Sequence, residues 1–160
     1  MKLLFFPINE DTKLVAYEEV VQVPGLSADS LYSLTLEWMK TFYKSPSQAI
    51  KSQSREEGTI EIKNSFYLTR DVKGTASKAA LINYYLTLQF RDGRFKYSIT
   101  KINVDGNSYF GIERWINEEQ FKKDKTTIDY LQQIDTHMRS STESMENGIQ
   151  PNVEKKEDAW

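Results

Sequence analysis

Asp92-Gly93 stands between two runs in which apolar and polar side chains alternate, and such a pair is the strongest short-range signal for a β-hairpin. With Arg91 and Arg94 paired across the turn, counting outward sets the register over residues 80–104. One face receives the pairs Phe90–Phe95, Leu88–Tyr97 and Leu86–Ile99. The other receives Arg91–Arg94, Gln89–Lys96, Thr87–Ser98 and Tyr85–Thr100. Strands with this chemistry belong to an antiparallel sheet that is dry on one side and solvated on the other.

The rest of the chain supplies more strands and a cover. Residues 12–23 alternate, with Val15, Tyr17, Val21 and Val23 on one side, until Pro24-Gly25. Ser27 is a good N-cap, Asp29 suits the positive first turn, and Leu26 is placed to staple onto Leu31. Leu31, Leu34, Trp38 and Phe42 then recur at helical spacing, flanked by Tyr32, Leu36, Met39 and Tyr43. A helix this apolar is the natural lid for the dry side. Ser45-Pro46 ends it. Residues 49–55 and 59–68 form a second hairpin around Glu56-Glu57-Gly58, with Ile60, Ile62, Phe66 and Leu68 opposite Glu61, Lys63, Ser65 and Tyr67. Residues 71–78 read as a loop. Tyr109, Phe110 and Trp115 are expected in the core, seating a last helix capped near Asn117 that carries Phe121, Ile128, Leu131, Ile134 and Met138. Past Arg139 the apolar period stops.

The expected fold is therefore α+β: an antiparallel twisted sheet in β-α-β-β-β-β-α order with helices packed on one face. It forms one domain over residues 1–139, and residues 140–160 are expected to be a mobile polar, acidic tail. A length of 160 residues suits a single domain. The net charge of −2 argues against a dedicated nucleic-acid binder, whose affinity rests on a Lys/Arg excess. The absence of cysteine removes disulfides, thiolate metal sites and cysteine nucleophiles, and leaves the compartment open. The opening Met1-Lys2-Leu3-Leu4-Phe5-Phe6 is like a signal peptide but stops at Pro7, too short for an apolar signal core. It is a native cytoplasmic start, a mature chain with an added Met, or a first strand or staple.

No grouping of side chains points to catalysis. His137 is the single histidine, and Asp135 and Thr136 beside it do not share its helix face, so it is expected to face solvent. One histidine and no cysteine make a zinc site unattractive. Ser98-Ile99-Thr100-Lys101 spaces Ser and Lys as in a helical Ser-x-x-Lys motif, but on a strand the two point to opposite faces. Lys73-Gly74-Thr75 lacks the glycine spacing of a phosphate loop. Glu18-Glu19, Glu56-Glu57 and Glu118-Glu119 are only sequence neighbours. No enzyme activity, metal or cofactor is expected.

Some of these residues also carry a family resemblance. Val20-Val21-Gln22-Val23-Pro24-Gly25-Leu26-Ser27, Leu31-Tyr32, Trp38, Glu57-Gly58-Thr59-Ile60 and the run from Leu86 to Tyr97 resemble a bacterial family, domain of unknown function 4468, with a TATA-binding-protein-like fold. The resemblance implies that fold and a periplasmic, secreted or lipid-anchored setting, with a cytoplasmic one as the alternative. It implies no reaction. A TATA-binding protein has two copies of the unit and a strongly basic concave face. Here there is one copy, and a homodimer is one way to rebuild a saddle.

The functional lead is the solvated face, which by simple alternation carries Lys51, Gln53, Arg55, Lys63, Tyr67, Tyr85, Thr87, Gln89, Arg91, Arg94, Lys96 and Ser98, with Glu61 among them. Lys51, Arg55, Lys63, Tyr67, Tyr85, Gln89, Arg94 and Lys96 are the candidate ligand contacts, because rings among cations and amides suit an anionic or sugar-like ligand. The plain alternative is that any solvated sheet face carries such residues. The first expectation is thus a non-catalytic module for a protein, peptide or glycan-like partner. The second is an apolar cavity among Trp38, Phe42, Phe90, Tyr97 and Ile99. The third is nucleic-acid binding through the basic face.

Overall fold

Alternation at period two builds one sheet of five antiparallel strands, ordered β1-β5-β4-β3-β2. These are β1 (Tyr17–Gln22), β2 (Ile50–Ser54), β3 (Thr59–Val72), β4 (Thr75–Arg91) and β5 (Arg94–Val104). The helices are α1 (Ala28–Phe42), α2 (Pro46–Ala49), α3 (Glu113–Asn117), α4 (Glu119–Lys122) and α5 (Lys125–Gly148). The structure is a computed structural model that describes residues 5–151; Met1 to Leu4 and the end of the expected tail lie outside them.

The central hairpin has the register counted from Asp92-Gly93, from Arg91–Arg94 through Tyr85–Thr100. Its dry side holds Leu86, Leu88, Phe90, Phe95, Tyr97 and Ile99, all buried under α1 and α5. The turn also starts α1. The Asp92 carboxylate accepts from the Ala28 N–H at 2.9 Å, beside the Ser27 hydroxyl that accepts from Ser30. Gly58, at φ +69°, is needed at the β2–β3 turn, because a Cβ there would stand 2.9 Å from the Phe90 carbonyl oxygen.

Four expectations about the elements and the core need correction. The loop over residues 71–78 is the tip of a long hairpin in which Val72 pairs with Thr75 around Lys73-Gly74. Lys73 and Gly74 both take positive φ, as a tight hairpin turn requires, although Lys is an uncommon residue there. The last helix is not capped at Asn117, which ends α3; Asp124 caps α5 by accepting from the Thr127 N–H and hydroxyl. The tail does not begin at residue 140. Helix α5 runs on to Gly148, with Ser141, Met145 and Ile149 buried. Ser141 occupies a core position and hides the period, and its hydroxyl is satisfied inside the helix by the His137 carbonyl. Finally, Tyr109 lies out of the core at 64% exposure and Phe110 is half-buried against Trp115 and Phe121 without joining the core, while Trp115 packs on the core and against Tyr130 of α5.

Candidate functional site

The uncovered face of the sheet is built by side chains that alternate away from the helices, and bulges in β5, β4 and β2 decide which ones reach it. In β5 the register slips between Tyr85–Thr100 and Asn83–Asn103, so β5 carries one extra residue. Strict alternation would turn Lys101 into the core and Ile102 out. The bulge does the reverse: Ile102 is buried and Lys101 is exposed, with a left-handed φ of 52°. The Asn103 amide braces this conformation by donating to the Lys101 carbonyl at 2.7 Å.

The consequence is a cationic cluster on one ring. The ammonium groups of Lys51, Lys101 and Lys63 stand 5.0, 5.1 and 5.7 Å from the centroid of Tyr85. Lys51 also meets the Glu61 carboxylate at 3.6 Å. Among the described residues neither Lys63 nor Lys101 is paired with a carboxylate. Tyr109 stands near enough to sense this ring: partial burial, then Glu113 and Tyr85, raise its hydroxyl above the usual phenol value.

The candidate contacts divide into groups. Lys51, Lys63 and Tyr85 come together as above. Gln89, Arg94 and Lys96 gather near the hairpin tip with Arg91 and Val20 around a hollow of about 250 Å³. Tyr67, half exposed, lies under the Lys78 ammonium at 4.4 Å. Arg55 is not on this face. A bulge at Lys51 reverses the parity of β2, so Gln53 pairs with the buried Ile60 and turns toward α1. Arg55 follows it, binding the Asp29 carboxylate at 2.7 Å and covering the Tyr32 ring at 4.4 Å.

The helix side has its own polar chemistry. His137 is not solvent-facing; its ring stacks on Phe66 at 3.7 Å and 12°, and burial holds its pKa below the ordinary 6.5. Where an apolar cavity was expected, the side chains pack on one another. Trp38 stacks on Phe42 at 4.9 Å and donates to Ser144, and Phe90 meets Tyr32 edge-on. Among the described residues no three His, Asp or Glu side chains are grouped to hold a metal ion, and no helix is long and apolar enough to cross a membrane.

The family model for a domain of unknown function (DUF4468) with TBP-like fold matches residues 17–105, more than half of the sequence and all five strands of the sheet. The chain belongs to the DUF4468 family. Its fold resembles the crystal structure of a DUF4468 family protein from Bacteroides ovatus, with a TM-score of 0.62 and 17% identity, covering 88% of this chain and 90% of that one. It also resembles a TBP-like protein from Parabacteroides distasonis, with a TM-score of 0.60 and 13% identity, covering 89% and 97%. No curated protein matches the chain. For this DUF4468 protein the family thus establishes the fold, an antiparallel sheet with helices, and leaves function to the site.

Lys101 of the DUF4468 sheet is missed by counting along the sequence because its face depends on a bulge. Asn64 is missed as well. It is a polar residue at a dry-side position between Ile62 and Phe66, and that break in the alternation is visible in the sequence.

Proposed function

We propose that this DUF4468 protein is a non-catalytic binding module that takes an anionic, carboxylate-bearing partner on the open face of its sheet, centred on Tyr85. The observation that carries the reading is the crowding of three ammonium groups around one ring. Like charges this close repel one another, and a carboxylate relieves that repulsion while the Tyr85 face retains the cations. Arg91, Arg94 and Lys96 form a second positive patch at the hairpin tip, across the row in which Glu61, Thr87, Ser98 and Glu18 stand side by side, so an extended acidic peptide or uronate-bearing glycan meets cations at both ends of the face. The absence of a catalytic role is part of this reading, supported by His137 being held by a ring stack and not by a carboxylate. So is the extracytoplasmic setting implied by the family resemblance, which fractionation of cells carrying the complete gene tests.

The binding test is titration with poly-glutamate, oligogalacturonate and duplex DNA. Lys63→Glu with Lys101→Glu is expected to weaken binding of the carboxylate polymers at least roughly tenfold, the scale of losing one charge-assisted contact. Arg55→Glu, on the other side of the sheet, leaves it unchanged. Equal affinity of wild type and the Lys63/Lys101 double variant contradicts the proposal, and tighter binding of DNA than of either polymer redirects it to nucleic acid.

A further inference from the structure

The dry alternation of β3 runs Ile60, Ile62, Asn64, Phe66, Leu68, and Asn64 is its one polar member. Asn64 pairs in register with Tyr84 of β4, a second polar group on the same side. Over this pair the helices leave a gap. A half-open cavity of about 600 Å³ lies between the end of α1, helix α2, β3, β4 and α5, within the range typical of small-molecule sites. From this we propose a second binding site, on the helix side of the sheet, for a small aromatic carboxylate.

The lining specifies that chemistry. Tyr43 and Tyr84 are buried, and their hydroxyls meet 3.4 Å apart. Whichever donates to the other, one phenol proton remains for a third group. Burial raises both phenols above their ordinary value, so they stay protonated as donors across the physiological range. Asn64 adds an amide. The rings of Phe42 and His137 line the space, and His137 is stacked on Phe66, which steadies its plane. Lys44 contributes the one full positive charge, and no Asp or Glu lines the cavity. Donors, one cation and no carboxylate favour an anion; ring walls favour a planar body. A flat ring with one carboxylate satisfies both demands, whereas a cation or a large polyanion satisfies neither. This site is independent of the open face, since no residue of the Tyr85 cluster lines it.

The test is calorimetric titration of the whole chain with benzoate, phenylacetate and indole-3-acetate, and with phenylacetamide as the uncharged counterpart. Saturable one-to-one binding of at least one acid is expected, with the amide bound at least roughly tenfold more weakly. Lys44→Glu and Tyr84→Phe each lower the acid's affinity by about tenfold or more, the scale of a charge-assisted hydrogen bond. Lys63→Glu leaves it unchanged, which separates this site from the open face. Lys44 is exposed, so its variant reports even where Tyr84→Phe perturbs folding. Absence of saturable binding by every acid, equal affinity for acid and amide, or full affinity in the Lys44→Glu protein overturns the proposal.

Discussion

The indole N–H of Trp38 in α1 donates to the hydroxyl of Ser144 in α5 at 3.0 Å. This bond joins the two helices that cover the sheet, and it lies beyond the point where the apolar period of the last helix fades. Around it, Gly148 comes so close that a Cβ would stand 2.5 Å from the Trp38 ring, and Tyr97 donates to the Glu146 carboxylate at 2.8 Å. The last two turns of α5 therefore belong to the core of the domain.

Met145 lies at the centre of that region, fully buried. Met145→Ala is expected to cost about 2–5 kcal/mol, the usual range for truncating a buried Met or Leu. Urea denaturation followed by far-UV circular dichroism measures it. A cost near zero would mean that these turns are not part of the cooperative unit.

Two of the three left-handed lysines among the described residues permit a separation of stability from binding. Lys73 and Lys101 have φ of 52° each, a conformation that costs a non-glycine residue on the order of 1 kcal/mol. Lys73→Gly and Lys101→Gly should each raise stability by up to about that amount. Only Lys101→Gly also weakens the carboxylate polymers, because it removes an ammonium from Tyr85. Thermal unfolding and titration on the same samples check both halves.

His137 gives the fold a pH dependence. Its native pKa lies below the unfolded 6.5 because burial disfavours the imidazolium. The unfolded chain then binds the proton more readily, so stability falls as pH decreases. The contribution is whole above about pH 6.5 and is lost progressively as pH drops through the depressed native value. Urea midpoints between about pH 7.5 and 5 should decline. His137→Phe, which keeps a ring against Phe66, should flatten the part of that decline nearest pH 6.5.

Arg55 tests the parity reversal in β2. Its ion pair with Asp29 is exposed, and pairs of that kind contribute less than about 1 kcal/mol. Arg55→Ala is expected to lower stability by no more than that, through lost cover on Tyr32, and to leave polymer binding unaltered. A clear loss of binding would return Arg55 to the contact surface.

Alternation and strong turn signals make most of the sheet legible in the sequence. Asp92-Gly93 sets the register of β4 and β5 because its neighbours are patterned on both sides. Lys63 and Tyr85 are neighbours as alternation implies, since they pair where the register of β3 and β4 is regular. Backbone irregularity is what the sequence conceals. One extra residue in β2 moves Gln53 and Arg55 to the helix side, and one in β5 brings Lys101 out to Tyr85. Neither bulge has a glycine to announce it. The Lys73-Gly74 turn is hidden because its flanking strands are polar on both sides, and the end of α5 because Ser141 stands in the apolar stripe.

The most direct measurement is a two-dimensional amide NMR titration of the isotope-labelled protein with oligogalacturonate or poly-glutamate. Saturating shifts concentrated at Lys51, Lys63, Tyr85 and Lys101 are predicted, with Leu31 of α1 and Met138 of α5 unmoved. Shifts confined to the helix side, or no shifts at low salt, would contradict the assignment of the open sheet face as the contact surface.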